Sequence, residues 1–544
     1  MQTTVLSSSR PSEKQFNTAG PCKSDKHYLI DPLTRIDHQQ LLNLIADERY
    51  FVLHAPRQTG KTTSLIALVQ YLNATGNYRA VYANIEGAQT ARHDVALGIG
   101  SVLQTLARQI RYDTGETRME EWLQQHRTDN PHDVLTEMLS IWSELDSRPA
   151  ILVLDEVDAL VGDTLISLLR QIRAGYAGRP ARFPQSIILC GVRDVRDYRI
   201  HTSHQEIITG GSAFNIKAES LRVGNFSREE VEALWNQHTE ATGQTFDPAI
   251  FDALWEDTWG QPWLVNALGH QLTYKNPRLK QDRSLPITLD DYAEAREALI
   301  RSRATHLDQL TDKLREPRIH QVIAQLLASE DVQNLNISID DQQYAEDMGL
   351  IRTRPQVAIA NRIYAEVIPR ELTWIAQTRI TQEQAWFLRA DRRLDMPKLL
   401  SAFQQFFREH SESWLEHFDY KEAGPQLLLQ AFLQRIVNGG GRIDREYGLG
   451  RKRTDLYIQW PLDEKQGYHG PVQRVVLELK LWRSGGLEKV LESGIPQTLD
   501  DARQCGADEA HLLIFDRRPG SDWEARVWRR EEIWEERKVS VWGA

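Results

Sequence analysis

The stretch that most constrains this chain is LHAPRQTGKTTS, Leu53 to Ser64. It separates a short apolar run, RYFVLHA, from TTSLIALVQYLNAT, whose apolar residues recur at helical spacing. A strand, a glycine-bearing turn and a helix in that order bring backbone N–H groups to a helix N-terminus, where anions bind. Ala55, Pro56, Arg57, Gln58, Thr59, Gly60, Lys61 and Thr62, continued by Thr63, fit the phosphate-loop pattern except that alanine holds the place of the first glycine. Alanine is small enough to keep the backbone close to a phosphate. Lys61 is expected to reach the β and γ oxygens, and the Thr62 hydroxyl to bind Mg²⁺.

A second run, LVLDEVD (Leu152 to Asp158), has the composition of a buried strand that ends in acids. Taken alone, it fits a strand with a solvated acidic end. Beside a phosphate loop it fits a catalytic edge, with Asp155 in the Mg²⁺ shell and Glu156 orienting or deprotonating the attacking water. RAVYANIE and FPQSIILCGVRD are further apolar runs separated by helical segments such as DTLISLLRQIRAGY. Strands alternating with helices predict an α/β fold, a parallel sheet covered on both faces with its ligands at the strands' carboxyl ends.

Length and charge bound the rest. A chain of 544 residues exceeds one ordinary core, so several units are expected. The net charge of −11 excludes a uniformly basic nucleic-acid coat while allowing local basic patches. Three widely spaced cysteines, Cys22, Cys190 and Cys505, make neither a disulfide scaffold nor zinc spacing. No apolar run approaches the roughly 18 residues that span a bilayer, and MQTTVLSSSRPSEKQ has no apolar signal segment. A cytoplasmic protein without membrane contact is expected.

From Tyr28 to Leu372 the chain resembles the AAA-like ATPases of the STAND and archaeal-ATPase type. Besides the two motifs above, CGVRDVRDY resembles that family's sensor strand, with Arg193 or Arg196 near the γ-phosphate. GQPWLVNAL resembles its GxP motif, which places Pro262 near the nucleotide in a helical lid. FNIKAESLRVGNFSREEV, Phe214 to Val231, is similar to the joint between core and lid. SREEV also opens with a Ser-x-x-Glu capping box. Helices followed by IRTRPQVAIANRIY suggest a winged helix. The resemblance implies ATP and Mg²⁺ as cofactors and a slow nucleotide-dependent switch; a homo-oligomer is left open, with Arg170 and Arg173 as candidates for a finger or as plain exposed arginines.

Near the other end, KRTDLYIQW and RVVLELKLW read as strands carrying acids amid apolar residues. Alternation puts Glu478 and Lys480 on one face and Leu477, Leu479 and Leu481 on the other. With a helix before them and a helix and strand after, the Asp455…Glu478-x-Lys480 arrangement resembles the core of the PD-(D/E)XK nuclease superfamily. That resemblance implies Mg²⁺, or Mn²⁺, on Asp455 and Glu478, with Lys480 positioning water or stabilising developing charge. Gln497 resembles the glutamine of the exonuclease-like branch, but Asp501 stands where a tyrosine is expected. The superfamily's acid on the first helix has no clean counterpart: Glu422 precedes that helix, Gln426 and Gln430 lie in it, and Glu446 is another possibility. A folded but inactive core is therefore also open. RIDREYGLGRKR gathers Arg442, Arg445, Arg451, Lys452 and Arg453 in a loop before Asp455, fit for phosphate contact or simply solvated. Trp482, Trp523, Trp528 and Trp534 could stack bases or pack.

The expected divisions are a flexible N-terminal tail over 1–26, an ATPase core over 27–225, a helical lid over 226–310, a winged-helix-like segment over 311–378, and a linker helix with a nuclease-like domain over 379–544. By analogy of architecture, the expected function is an ATP-regulated, metal-dependent nuclease acting on nucleic acid, DNA before RNA, in the setting of defence against phage or mobile elements. The alternatives are an ATP-dependent DNA-binding or assembly factor with an inactive nuclease-like domain, and a signalling ATPase with a protein partner.

Overall fold

The runs AILVLD and SIILCG are buried at every position, as strands covered on both faces must be. The structure, a computed structural model, describes residues 13–544 apart from 127–129, 193–198, 202–206, 210–215, 303–309, 311–312, 315, 329–336, 373–386, 418–428, 430–431, 434–440, 450–451, 464–465, 483, 517, 519–522 and 536. The described chain divides into two compact units, Met1–Arg301 with Gln343–Leu350, and Ser302–Gln342 with Ile351–Ala544.

In the first unit a five-stranded sheet contains β1 (Tyr50–His54), β2 (Arg79–Asn84), β3 (Ala150–Asp155), β4 (Ser186–Gly191) and, past the ribbon of β5 (Arg199–His201) and β6 (Ile207–Thr209), β7 (Lys217–Arg222). The order is β2-β3-β4-β1-β7, and every neighbouring pair is parallel. Alternation along β3 divides its apolar side chains between two cores. Leu152 and Leu154 pack with the helices Val95–Thr114, Val134–Glu144 and Gly162–Gly175. Ile151 and Val153 pack with His38–Ala46 and Lys61–Ala74 on the other face. This is the α/β sheet that the spacing of apolar runs predicts. The edge strand β7 falls in the segment read only as a joint.

After β7 the chain is helical, and the helix Arg228–Thr242 opens on the capping box read from SREEV. Ser227 Oγ accepts from Glu230 N at 3.1 Å, and Glu230 Oε2 accepts from Ser227 N at 2.8 Å. One expectation needs correction: residues 13–26 are not a tail. Gln15 bridges to His27, and Phe16 is buried among Tyr28, Trp235 and His238. A single aromatic in a polar run gives the segment its anchor, which composition averages hide.

In the second unit the helices Pro317–Ala328 and Arg362–Leu372 flank in sequence an antiparallel hairpin of β8 (Ile351–Arg352) and β9 (Ala358–Ile359), in the stretch IRTRPQVAIANRIY. A six-stranded mixed sheet follows: β10 (Arg442–Leu449), β11 (Lys452–Pro461), β12 (Val472–Trp482), β13 (Glu509–Asp516), β14 (Trp528–Trp534) and β15 (Arg537–Gly543). Its order is β10-β11-β12-β13-β15-β14. The helix Leu487–Gln504 crosses from β12 to the parallel β13. It starts earlier than GIPQTLDDARQC suggests and carries Pro496 inside, because Leu491, Ile495, Leu499 and Ala502 bury one continuous stripe.

Of the basic stretch RIDREYGLGRKR, read as a loop, Arg442–Leu449 is the strand β10 and pairs antiparallel with β11, which begins at Lys452. The side chains of Arg442, Arg445, Arg451, Lys452, Arg453 and Glu446 lie outside the described residues, as do Glu422, Gln426 and Gln430. No helix among the described residues is long and apolar enough to cross a membrane.

Candidate functional site

The turn between β1 and the helix Lys61–Ala74 holds its shape through two residues in the left-handed region, Gln58 at φ 60° and Gly60 at φ 94°. Gly60 makes that conformation cheap; Gln58 adopts it at a cost of roughly 1 kcal/mol. Thr59 Oγ1 donates to Pro56 O at 2.8 Å. The Lys61 ammonium lies inside the loop, donating to Ala55 O at 2.8 Å and Pro56 O at 3.0 Å. Arg57 is exposed beside it, and Thr63 accepts from Cys22 N at 3.1 Å. The predicted cradle residues therefore form one loop at the carboxyl end of β1.

β3 brings its acids to the same edge. Thr62 Oγ1 donates to Asp155 Oδ2 at 2.9 Å, and the Glu156 backbone N–H donates to Asp155 Oδ1 at 2.9 Å. Tyr82, on β2, donates to Asp155 Oδ2 at 2.8 Å. Burial, and then the Asp155 carboxylate, push the Tyr82 phenol well up. Sequence reading missed Tyr82; the register that pairs it with Val153, two positions before Asp155, could have flagged it only once the sheet order was known. Glu156 sits at φ 60°, ψ 41°, a strained backbone for a non-glycine residue. Burial raises its carboxyl above the usual range, against the pull of Lys61. Asp158 Oδ1 accepts from Val192 N at 3.2 Å, tying β3 to the end of β4. The predicted Arg193 lies outside the described residues.

Mg²⁺ fits this site. A hydroxyl and a buried carboxylate within 2.9 Å of each other are the hard oxygen donors that ion takes.

Beside the loop lies a cavity that is open to solvent. The N-terminal segment Asn17–Cys22, Gly60 and Thr63 of the loop helix, Phe226 at the joint, and Pro262 and Trp263 of the lid line it. Pro262 begins the helix Pro262–His270 and lines the same cavity as Gly60 and Thr63. Trp263 Nε1 donates to Thr18 O at 3.0 Å, holding the helix Pro262–His270 against the N-terminal segment. Arg35 is a further residue that sequence reading missed. It donates to Thr59 O at 3.4 Å and to Gly224 O, and its guanidinium lies 4.3 Å from the Phe226 ring centroid.

In the second unit Asp455 lies on β11, Glu478 and Lys480 on β12, and Gln497 on the crossover helix. Glu478 is 1% exposed, while Leu477, Leu479 and Leu481 pack into the opposite core, as alternation predicts. Asp455 Oδ2 accepts from Leu479 N at 2.7 Å, and Glu478 Oε2 accepts from Asp455 N at 3.4 Å. Lys480 Nζ donates to Glu478 Oε1 at 3.2 Å and to Gln497 Oε1 at 3.0 Å, and Gln497 Nε2 donates to Glu478 Oε1. Burial, and then the Asp455 charge, push the Glu478 carboxyl up to about 8, against the pull of Lys480. Two crowded acids of this kind suit a divalent cation, which would relieve the charge that burial opposes. Asp501, one turn beyond Gln497, is fully buried and adds to the negative field at Glu478. Among the described residues no group of three or more His, Cys, Asp or Glu is placed to hold a metal ion. Of the tryptophans, Trp482 is buried with Arg518 over its ring, whereas Trp534 is 41% exposed.

Residues 45–198 match the AAA domain family, so the first unit contains a P-loop ATPase domain of AAA type. Comparison with the curated proteins returned no match. Among solved structures the chain is similar to a Walker-type ATPase of Pyrococcus abyssi, at 14% identity and TM-score 0.42, over 65% of this chain and 99% of that one. It is also similar to Cdc6p from Pyrobaculum aerophilum, at 15% and 0.33 over 61% and 93%. For the RuvB Holliday junction branch migration motor of Thermotoga maritima the values are 11% and 0.31 over 61% and 95%.

Proposed function

We propose that the protein is an ATP-regulated, metal-dependent nuclease, in which an ATPase switch governs phosphodiester cleavage of nucleic acid, DNA in the first place. The observation that carries the nuclease half is the four-residue contact set of the second unit, in which Lys480 bonds to both Glu478 and Gln497 while Asp455 and Glu478 interlock across two strands.

In the ATP site Lys61 draws β and γ oxygens into the loop, and the backbone N–H groups that follow Gly60 point at the same phosphates. Thr62 and Asp155 would hold Mg²⁺, which when bound neutralises phosphate charge. Glu156, next along the chain, orients the attacking water and takes its proton. Its raised affinity for protons makes it a better base than an ordinary carboxylate.

In the nuclease site Asp455 and Glu478 would hold Mg²⁺ or Mn²⁺, which when bound lowers the pKa of a water and offsets charge on the scissile phosphate. The Lys480 ammonium, fixed between Glu478 and Gln497, stabilises the charge that develops on the phosphate oxygens. Gln497 orients both partners with one amide.

The test is supercoiled plasmid incubated with Mg²⁺ or Mn²⁺, with and without ATP, beside Asp455→Ala and Lys61→Ala. Nicking that disappears in Asp455→Ala and changes in Lys61→Ala is the expected result. A second reading rests on the two-acid metal set and the acid at position 501: a nuclease-like domain that holds DNA without cutting it, controlled by the same ATPase. Binding without nicking under any metal would select it. In either case defence against phage or mobile elements suits a switch that restrains a damaging effector, and self-association of the ATPase domain is a natural way to throw it.

A further inference from the structure

The six-stranded sheet of the second unit ends in a strand whose sequence complements itself. β14, WRREEIW, pairs with β15 on one side, and among the described residues no strand pairs with its other side. Trp534 faces Arg537 across the turn of this hairpin, so that closing pair exchanges both its backbone hydrogen bonds. The register continues without a shift, and alternation turns the N–H and C=O groups of Trp528, Arg530 and Glu532 toward β15 as well. Those of Arg529, Glu531 and Ile533 point to the open edge. Two large apolar side chains are left in water there, Ile533 at 76% exposure and Trp534 at 41%. An edge of this kind is a template for another strand.

We propose that two copies of this chain join through β14, antiparallel and centred on Glu531, into one continuous sheet. The inference goes beyond the nuclease reading and does not depend on it. Antiparallel copies related by a two-fold axis must meet with outward-facing backbone on both sides, so the centre is Arg529, Glu531 or Ile533. Glu531 is the middle of the strand and pairs its whole length, whereas the other centres pair only 528–530 or 532–534. Centred on Glu531, Arg530 of each copy stands opposite Glu532 of the other, and Trp528 opposite Trp534. These are the pairs without backbone hydrogen bonds, in which side chains come closest. The Arg529 stem lies beside Ile533 of the other copy. Glu531 meets its own counterpart, and each brings a countercharge, since it already pairs with Lys538 of β15 and lies 3.5 Å from Arg529. Arg530 Nε and Glu532 Oε1, 3.0 Å apart along the single strand, exchange that contact for one across the axis. Charge on an edge strand ordinarily keeps other strands away. Here both signs occupy positions that the two-fold interchanges, so the charges select one partner and one register; parallel pairing in register would set arginine on arginine.

The test is sedimentation velocity of the full chain without nucleotide, across micromolar concentrations, for wild type and variants of β14. Wild type should form a concentration-dependent dimer. Arg530→Glu sets carboxylates face to face at both ends of the axis, and Glu532→Arg does the same with guanidinium groups. Each alone should raise the dissociation constant about tenfold or more. An equimolar mixture of the two variants restores opposite charges at both pairs and should associate as wild type does. A chain that carries both changes should again dimerise with itself. Ile533→Pro removes an outward N–H, leaves the bonds to β15 and should abolish the dimer; it serves should a charge variant fail to fold. A wild type that is monomeric at every concentration would overturn the proposal. So would a dimer that Ile533→Pro and both charge variants leave intact, since self-association would then lie elsewhere, as in the ATPase unit. Charge variants that are monomeric both alone and mixed would overturn the register centred on Glu531.

Discussion

Thr62 and Asp155, brought from a helix start and a strand end, stand hydroxyl to carboxylate at 2.9 Å, and Tyr82 bonds to the same carboxylate oxygen. Asp155→Asn keeps the shape and removes the charge. ATP binding without Mg²⁺ should stay within about threefold of wild type, while Mg²⁺-dependent hydrolysis falls on the order of a hundredfold or more. Tyr82→Phe removes only a hydrogen bond that orients Asp155. Its expected mark is a roughly tenfold rise in the Mg²⁺ concentration for half-maximal binding, measured by calorimetry at saturating nucleotide.

The contact between the turn before Pro262 and the segment after β7 depends on a glycine. Gly260 has φ +66°, and a Cβ there would lie 2.0 Å from the carbonyl oxygen of Phe226, whose N–H donates to Gly260 O at 2.8 Å. Backbone on both sides cannot give way. Gly260→Ala is expected to destabilise the first unit by about 2–4 kcal/mol in thermal or denaturant unfolding. Gly243 has φ +77° but open space around it, so Gly243→Ala should cost only about 1 kcal/mol. Equal effects would mean that backbone conformation alone, and not the contact with Phe226, governs the joint.

The buried acid of the second unit makes a prediction with a definite sign. The Glu478 carboxyl titrates near 4.5 in an unfolded chain and is pushed up to about 8 in the folded one. Between those values the folded state holds a proton that the unfolded state has lost. Stability is therefore full below about pH 4.5 and declines as pH rises toward 8, by up to ~1.4 kcal/mol per pH unit. Glu478→Gln, unfolded in EDTA across that range, should lack this slope and be the more stable protein at pH 8. A wild type whose stability shows the same pH dependence as Glu478→Gln would refute the shift.

Much of the first unit is legible in the sequence because parallel strands must be apolar at nearly every position and their ligands must sit at one edge. LVLDEVD and APRQTGKTT carry both facts within a few residues. Tyr82 and Arg35 escape such reading, since each comes from a different element and reaches the loop only through the arrangement of the whole unit. The segment 13–26 escapes for a related reason: Phe16 is one apolar residue among polar ones, and only the pocket formed by Trp235, Tyr28 and His238 makes it an anchor. In the second unit, alternation correctly puts Glu478 and Lys480 on one face. The bond of both to Gln497 depends on where the crossover helix lies, which local pattern does not encode.

The pair formed by Lys480 and Glu478 offers a last test that needs no activity. The carboxylate is 2% exposed at its side chain and the lysine 20%, so removal of the ammonium leaves an acid buried beside Asp455. Lys480→Met is expected to destabilise the second unit at pH 8 by only about 1 kcal/mol, because Glu478 without the ammonium is pushed further up and takes a proton, whereas Glu478→Gln with Lys480→Met should lie closer to wild type, since no titrating acid is then left at that position. Millimolar Mn²⁺ should return part of the lost stability to Lys480→Met, since a divalent cation between Asp455 and Glu478 would supply the missing positive charge. It should return none to the double variant if Glu478 is a ligand. Equal stabilisation of both proteins by Mn²⁺ would place the cation elsewhere and remove Glu478 from the metal set.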